Sequence, residues 1–156
     1  MIDLQFYSPE EAIDYPPISA YGVRLYFKRD DLIHPFISGN KWRKLKYNLL
    51  KARENHQHHL VTFGGAYSNH ILATAAAGAK FGFQTTAFVR GEEVNNQLLA
   101  FCKLFGMELI FVNREAYQDK AEIYQAYFKD QTNTYLLGEG GFGPEAEKVV
   151  GKLYPN

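Results

Sequence analysis

LVTFGGAYSNHILATAAAGAKFGFQTTAFV, residues 60–89, is the stretch on which the fold turns. It opens with an apolar, β-branched run, Leu60 to Phe63, which predicts a buried strand. Gly64-Gly65 breaks that strand. Ser68 is a good N-cap, and a helix rich in alanine follows from about Ser68 to Phe81. QTTAFV, residues 84–89, is the next strand. Strand, helix and strand joined by short linkers read as one unit of a parallel sheet.

The same alternation continues outward. Upstream, Val23 to Phe27 predicts a short strand with a charged end, Lys28, Arg29, Asp30 and Asp31. The loop LIHPFISG leads to a helix from about Asn40 to Arg53. Downstream, EEVNNQLLAFCKLFG predicts a helix closed by Gly106, and ELIFV a strand. REAYQDKAEIYQAYFKD predicts a helix and TYLL a last strand. A further helix is expected to begin near Pro144. The first 20 residues read as an irregular lead-in ending at Pro16-Pro17. Together these elements predict an α/β chain, three layers in the order αβα, with a mainly parallel sheet covered on both faces. The expected divisions are an N-terminal segment over 1–59, a small α/β domain over 60–138, and the start of a second domain over 139–156. The boundary is placed at GEGGFGPE, where glycines cluster.

The chain has 156 residues, about one ordinary domain. Its 17 basic and 17 acidic residues balance, which argues against a general nucleic-acid binder. No apolar run approaches the roughly 20 residues that span a bilayer, so no membrane partner is expected. A single cysteine, Cys102, precludes an intramolecular disulfide and suits a reducing cytoplasm. It sits in an apolar helical run and reads as a small core residue.

Two stretches carry chemistry. In SGNKWRKLKYNLL, residues 38–50, a lysine is the second helical residue. Trp42, Leu45, Leu49 and Ala52 share one helix face, and Lys41 lies closer to it than Lys44, Lys46 or Lys51. Burial and the positive end of the helix dipole both disfavour its charged form. A neutral amine is a nucleophile toward carbonyls, as in Schiff-base lysines. The alternative is a lysine that snorkels out to water along its stem. In GGAYSNH, the free N–H groups of a helix start make an anion site for a phosphate or a carboxylate, against the alternative of a capped helix with no ligand. The spacing matches neither a Walker loop, nor GxGxxG, nor GxSxG. His56, His58 and His59 have no carboxylate or cysteine at ligand spacing, so no metal is expected, and a solvated turn is the better reading. GEGGFGPE could cradle a phosphate, but a linker into the next helix fits it better.

Taken together, KRDDL…SGNKWRKLKY, TFGGAYSNHILATAAAGAKFG and YLLGEGG resemble the 1-aminocyclopropane-1-carboxylate deaminase and D-cysteine desulfhydrase family, pyridoxal 5'-phosphate enzymes of fold type II. The resemblance runs from about Val23 to Gly141. It implies that Lys41 holds the cofactor as an internal aldimine and afterwards moves a proton. It implies that Asn69 hydrogen-bonds the phenolic oxygen of the cofactor ring. Ser68, Asn69 and His70 would bind the substrate carboxylate, with Ser68 also in the catalytic set. The implied activity is that of a lyase or deaminase on a small amino acid. The alternative is a non-catalytic fragment or decayed relative that binds no cofactor. Both D-cysteine and 1-aminocyclopropane-1-carboxylate are open as substrates, and His70 leans toward the former. The family is about twice as long, and its phosphate loop and the partner of its pyridine nitrogen lie in the later half. The apolar face of the Lys41 helix and that of Val149, Val150 and Leu153 are therefore expected to be exposed. Such exposure would favour a homodimer or other self-association.

Overall fold

The computed structural model describes Ile2, residues 7–37 and residues 39–143. The helix expected near Pro144, with Val149, Val150 and Leu153, lies outside them. Eleven main elements follow one another: β1 (Glu10–Ile13), α1 (Pro16–Ser19), β2 (Leu25–Lys28), α2 (Asn40–Glu54), β3 (His59–Gly65), α3 (Asn69–Phe81), β4 (Gln84–Arg90), α4 (Gln97–Leu104), β5 (Met107–Val112), α5 (Lys120–Phe128) and β6 (Thr134–Leu136).

Four parallel strands form the main sheet in the order β5-β4-β3-β6. Register and burial assign its two faces. Leu60, Ala87, Val89 and Met107 pack under α2, α3 and α4, together with Trp42, Leu45, Leu49, Ala73, Ala77 and Cys102. Val61, Phe63 and Phe88 pack on the other side with Tyr117, Ile123 and Phe128, under α5. The result is the expected three-layer αβα arrangement. Parallel crossovers are right-handed, so reversing the direction of travel across the sheet moves the covering helix to the other face. The chain steps outward from β3 to β4 to β5 with α3 and α4 on one face. It then returns through α5, on the opposite face, to place β6 on the far side of β3. The direction of winding thus switches between β3 and β6, the place where open α/β sheets hold their ligands.

Small residues let α3 lie close to this sheet. A Cβ at Gly78 would come 2.3 Å from Thr85 Cγ2. Gly82 ends α3 in the left-handed conformation, φ 72°, which glycine adopts without strain.

The structure differs from expectation at several places. Residues 1–20 are not wholly irregular: β1 pairs antiparallel with β2, which runs from Leu25 and not from Val23. α4 begins at Gln97 because Asn96 caps it, its side chain accepting from Leu99 N–H at 2.8 Å. α5 begins at Lys120 because Asp119 accepts from Glu122 N–H at 2.8 Å. The turn before it, Ala116–Gln118, is a separate 3-10 turn whose Ala116 carbonyl accepts from Asp119 N–H. The largest correction concerns α2. Trp42, Leu45 and Leu49 are 1%, 0% and 0% exposed, so this face is no free surface for self-association. Trp42 stacks on Phe81 of α3 at 5.8 Å, and Leu45 and Leu49 join the core with Leu60 and Leu137. No helix among the described residues is long and apolar enough to cross a membrane.

Candidate active site

Gly39 starts α2 with φ 59°, and Lys41 follows two residues later. Lys41, Asn40 and Asn69 line a hollow of about 300 Å³ with Pro35, Phe36 and Leu72. Burial first, and the neighbouring Lys44 ammonium second, push the Lys41 ammonium below the ordinary lysine range. Two residues that the sequence singled out, one on α2 and one at the first position of α3, therefore share one cavity.

Ser68 is the N-cap of α3, its hydroxyl accepting from Ile71 N–H at 3.5 Å. No backbone carbonyl among the described residues accepts from Asn69 N–H or His70 N–H. These are the free donors of a helix start. Ser68 itself lines a different and larger hollow, about 740 Å³, with Gly65, Tyr67, Arg90, Glu92, Asn113 and Arg114.

The His70 imidazole turns inward and is 2% exposed. Its Nε2 lies 2.9 Å from Thr62 Oγ1, and the Thr62 hydroxyl donates to the Leu137 carbonyl at 3.3 Å. That hydroxyl thus stands within hydrogen-bond reach of both the His70 ring and the Leu137 carbonyl. Nδ1 is buried and has no hydrogen-bond partner among the described residues. Burial first, then the charges of Lys41 and Lys44, hold the ring down to a pKa of about 4, so it is neutral at physiological pH.

The glycine-rich turn after β6 closes this corner. Lys44 Nζ donates to the Gly140 carbonyl at 3.3 Å and lies 3.9 Å over the Phe142 ring. Gly141, with φ 76°, comes so close that a Cβ there would stand 3.3 Å from both His70 Cε1 and Lys44 Cβ. GEGG is therefore packed onto the site, where the sequence suggested a linker.

Among the described residues no three His, Cys, Asp or Glu side chains gather in a metal-binding group. His59 bonds Thr86 Oγ1 at 2.8 Å and meets Phe128 edge-on. Sequence reasoning missed Thr62, Arg90, Asn113 and Arg114. Arg90 and Arg114 carried a usable signal, since each is a charged residue at the carboxyl end of a strand. Thr62 carried none.

Residues 4–151 match the family model described as pyridoxal-phosphate dependent enzyme. A Thermotoga maritima protein provisionally named 1-aminocyclopropane-1-carboxylate deaminase is 38% identical over 126 residues, which is 78% of this chain and 40% of the relative. D-cysteine desulfhydrase of Salmonella typhimurium is 36% identical over 88 residues, 55% of this chain and 27% of the relative. The crystal structure of an ACC deaminase homologue superposes with a TM-score of 0.76 at 28% identity, covering 96% of this chain and 48% of its own. The chain thus spans under half the length of these relatives.

Proposed function

The chain belongs to the family of pyridoxal-phosphate dependent enzymes, with the α/β architecture of fold type II. On that premise we propose that it serves a lyase or deaminase acting on a small amino acid, of the D-cysteine desulfhydrase or 1-aminocyclopropane-1-carboxylate deaminase kind. The observation that carries this reading is the hollow shared by Lys41 and Asn69. A cofactor aldehyde needs a neutral amine, and the phenolic oxygen beside it needs a hydrogen-bond donor. Lys41, with its lowered pKa, and the Asn69 side-chain amide are groups of that chemistry, so the residues present fit pyridoxal phosphate.

Pyridoxal phosphate, when bound, supplies the electron sink that weakens bonds at the substrate α-carbon. The chain's own residues do the rest. Lys41 would hold the cofactor, and its amine is the group able to move a proton at the α-carbon. Asn69 would orient the ring through its amide. The unpartnered N–H groups of Asn69 and His70 would bind the substrate carboxylate, with Ser68 fixing the turn that presents them. In this reading His70 acts through its backbone, because its imidazole faces Thr62. The single, buried Cys102 supports a reducing compartment such as the cytoplasm. The divisions 1–59, 60–138 and 139–156 belong to the same reading. The exposed apolar side chains of β2, and no longer those of α2, support self-association.

The test is covalent mapping with an activity assay. The full chain loaded with pyridoxal phosphate is reduced with borohydride and digested. The pyridoxyl label is expected on Lys41. Turnover of D-cysteine and 1-aminocyclopropane-1-carboxylate by the full-length protein should fall by several orders of magnitude in Lys41→Ala. A label confined to Lys44 or Lys46, or a Lys41→Ala variant as active as its parent, overturns the proposal.

A further inference from the structure

The larger hollow does not hold Lys41. It lies where β3, β4 and β5 end: Gly65 and Arg90 are the last residues of β3 and β4, and Asn113 and Arg114 follow β5 directly. Its lining is rich in donors. Neither Arg90 nor Arg114 forms an ion pair with a carboxylate among the described residues, and neither does Glu92, the acid that shares the hollow. Arg90 is steadied from behind, its guanidinium carbon 5.7 Å from the Tyr117 ring centre. Asn113 is fixed through its oxygen, which accepts from Ala116 N–H at 2.8 Å, so its amide nitrogen is left to donate. Ser68 adds a hydroxyl from the start of α3.

Two guanidiniums against one carboxylate leave the lining with a net positive charge. An arginine fork matches a carboxylate or phosphate through two parallel hydrogen bonds, which a neutral ligand cannot accept as strongly. From this lining we infer that the Arg90–Arg114 hollow is an oxyanion-binding site. It is separate from the Lys41 hollow and stands beside it, since adjacent residues, Ser68 and Asn69, line one hollow each. The oxyanion is either a free phosphate or the carboxylate of an acidic small molecule. The inference does not need Lys41 or the cofactor, so it stands apart from the activity proposed above.

The experiment titrates the full chain, without pyridoxal phosphate, with inorganic phosphate. Backbone amide NMR locates the site and calorimetry gives the affinity. Saturable shifts are expected at residues 65–68, 90–92 and 113–114. Affinity should fall at least about tenfold in Arg90→Gln and in Arg114→Gln, with Arg114→Lys in between, because each removes or weakens a charge-assisted pair. It should also weaken as salt is added. Competition with succinate then identifies the source: displacement of phosphate assigns the site to carboxylates, and its retention assigns it to phosphate. Shifts that never saturate, or equal affinity in Arg114→Gln and the parent, overturn the inference. Because Lys41 takes no part, a negative titration leaves the borohydride mapping unaffected, and a failed mapping leaves the titration unaffected.

Discussion

β2 and β3 are both short apolar strands in the sequence, yet they end in opposite environments. All four residues of β2 are exposed, whereas five of the seven in β3 are buried. Phe27 in β2 is 62% exposed, and Phe88, beside β3, is 0% exposed. Hydrophobicity does not separate them. β3 has a strand on each side and helices above and below. β2 has one partner, β1, and among the described residues no helix lies across it. The link between the two regions is partly apolar, through Ile2, Ile33 and Ile37, which join the core under α2, and partly polar. Asp30 receives two hydrogen bonds from Arg43 of α2, at 2.6 and 2.8 Å, and one from Ser8 at 2.6 Å, while its carbonyl accepts from Gly39 N–H. One region is stabilised by its core, and the other is tethered to it by the Asp30–Arg43 ion pair and by the buried Ile33 and Ile37 that follow β2.

The sharpest way to break this contrast is to truncate one ring in each region. Phe88→Ala is expected to destabilise the chain by about 3–5 kcal/mol in chemical denaturation, because it opens a cavity between Phe63, Tyr127 and Phe128. Similar losses for Phe88→Ala and Phe27→Ala would end the comparison.

Acid should act on the same sheet through His70. Its folded pKa, about 4, lies below the value of 6.5 for a free ring. As pH falls through that window the unfolded chain takes up a proton that the native chain refuses. Stability therefore declines from pH 6.5 toward 4, by an amount on the order of 3 kcal/mol across the window. Equilibrium unfolding between pH 6.5 and 5 should show this slope in the parent and a flatter line in His70→Asn.

The tether's carboxyl is shifted in the same direction for a different reason: its charged form is favoured. Hydrogen bonds from Arg43 hold the Asp30 carboxyl below its usual range. Its contribution is present above the pKa of an unfolded aspartate and is lost as pH falls through the lower, folded value. Asp30→Asn should cost about 2 kcal/mol near neutral pH and less in strong acid. An equal deficit at every pH would mean that the charge is not part of what joins the two regions. Smallest of all, Phe27→Ala should change stability by less than about 0.5 kcal/mol, since the ring is already in water.

Most of the sheet was legible because its strands are apolar and its helices periodic. All four strands of the main sheet, with α2 and α3, lie within a few residues of where the pattern put them. β1 was not legible: EEAI carries no apolar alternation, and its pairing with β2 comes from a neighbour distant in sequence. Burial of Trp42, Leu45 and Leu49 was half legible. The wheel identified the face, but only the tertiary fold says that α3 and the sheet cover it. At the site, Lys41 and the start of α3 stood out as local motifs. The inward turn of His70 could not, because it depends on Thr62 across the layer and on Gly141, 71 positions later in the chain.

The strand order also bears on how the molecule comes together in time. β3 meets β4 at His59 and Gln84, and β4 meets β5 at Thr85 and Met107, 25 and 22 positions apart. β6 meets β3 at His59 and Thr134, 75 positions apart. Closing the longer loop carries the larger entropic penalty, and short-range pairings form sooner. The β3–β4–β5 half of the sheet is therefore expected to assemble first, with β6 docking onto a preformed edge. Leu137 and Gly141 arrive with β6, so His70 is sealed only in that final event. Until then the corner beside Lys41 is open, and refolding followed by an amide probe on Leu137 should lag behind one on Phe88.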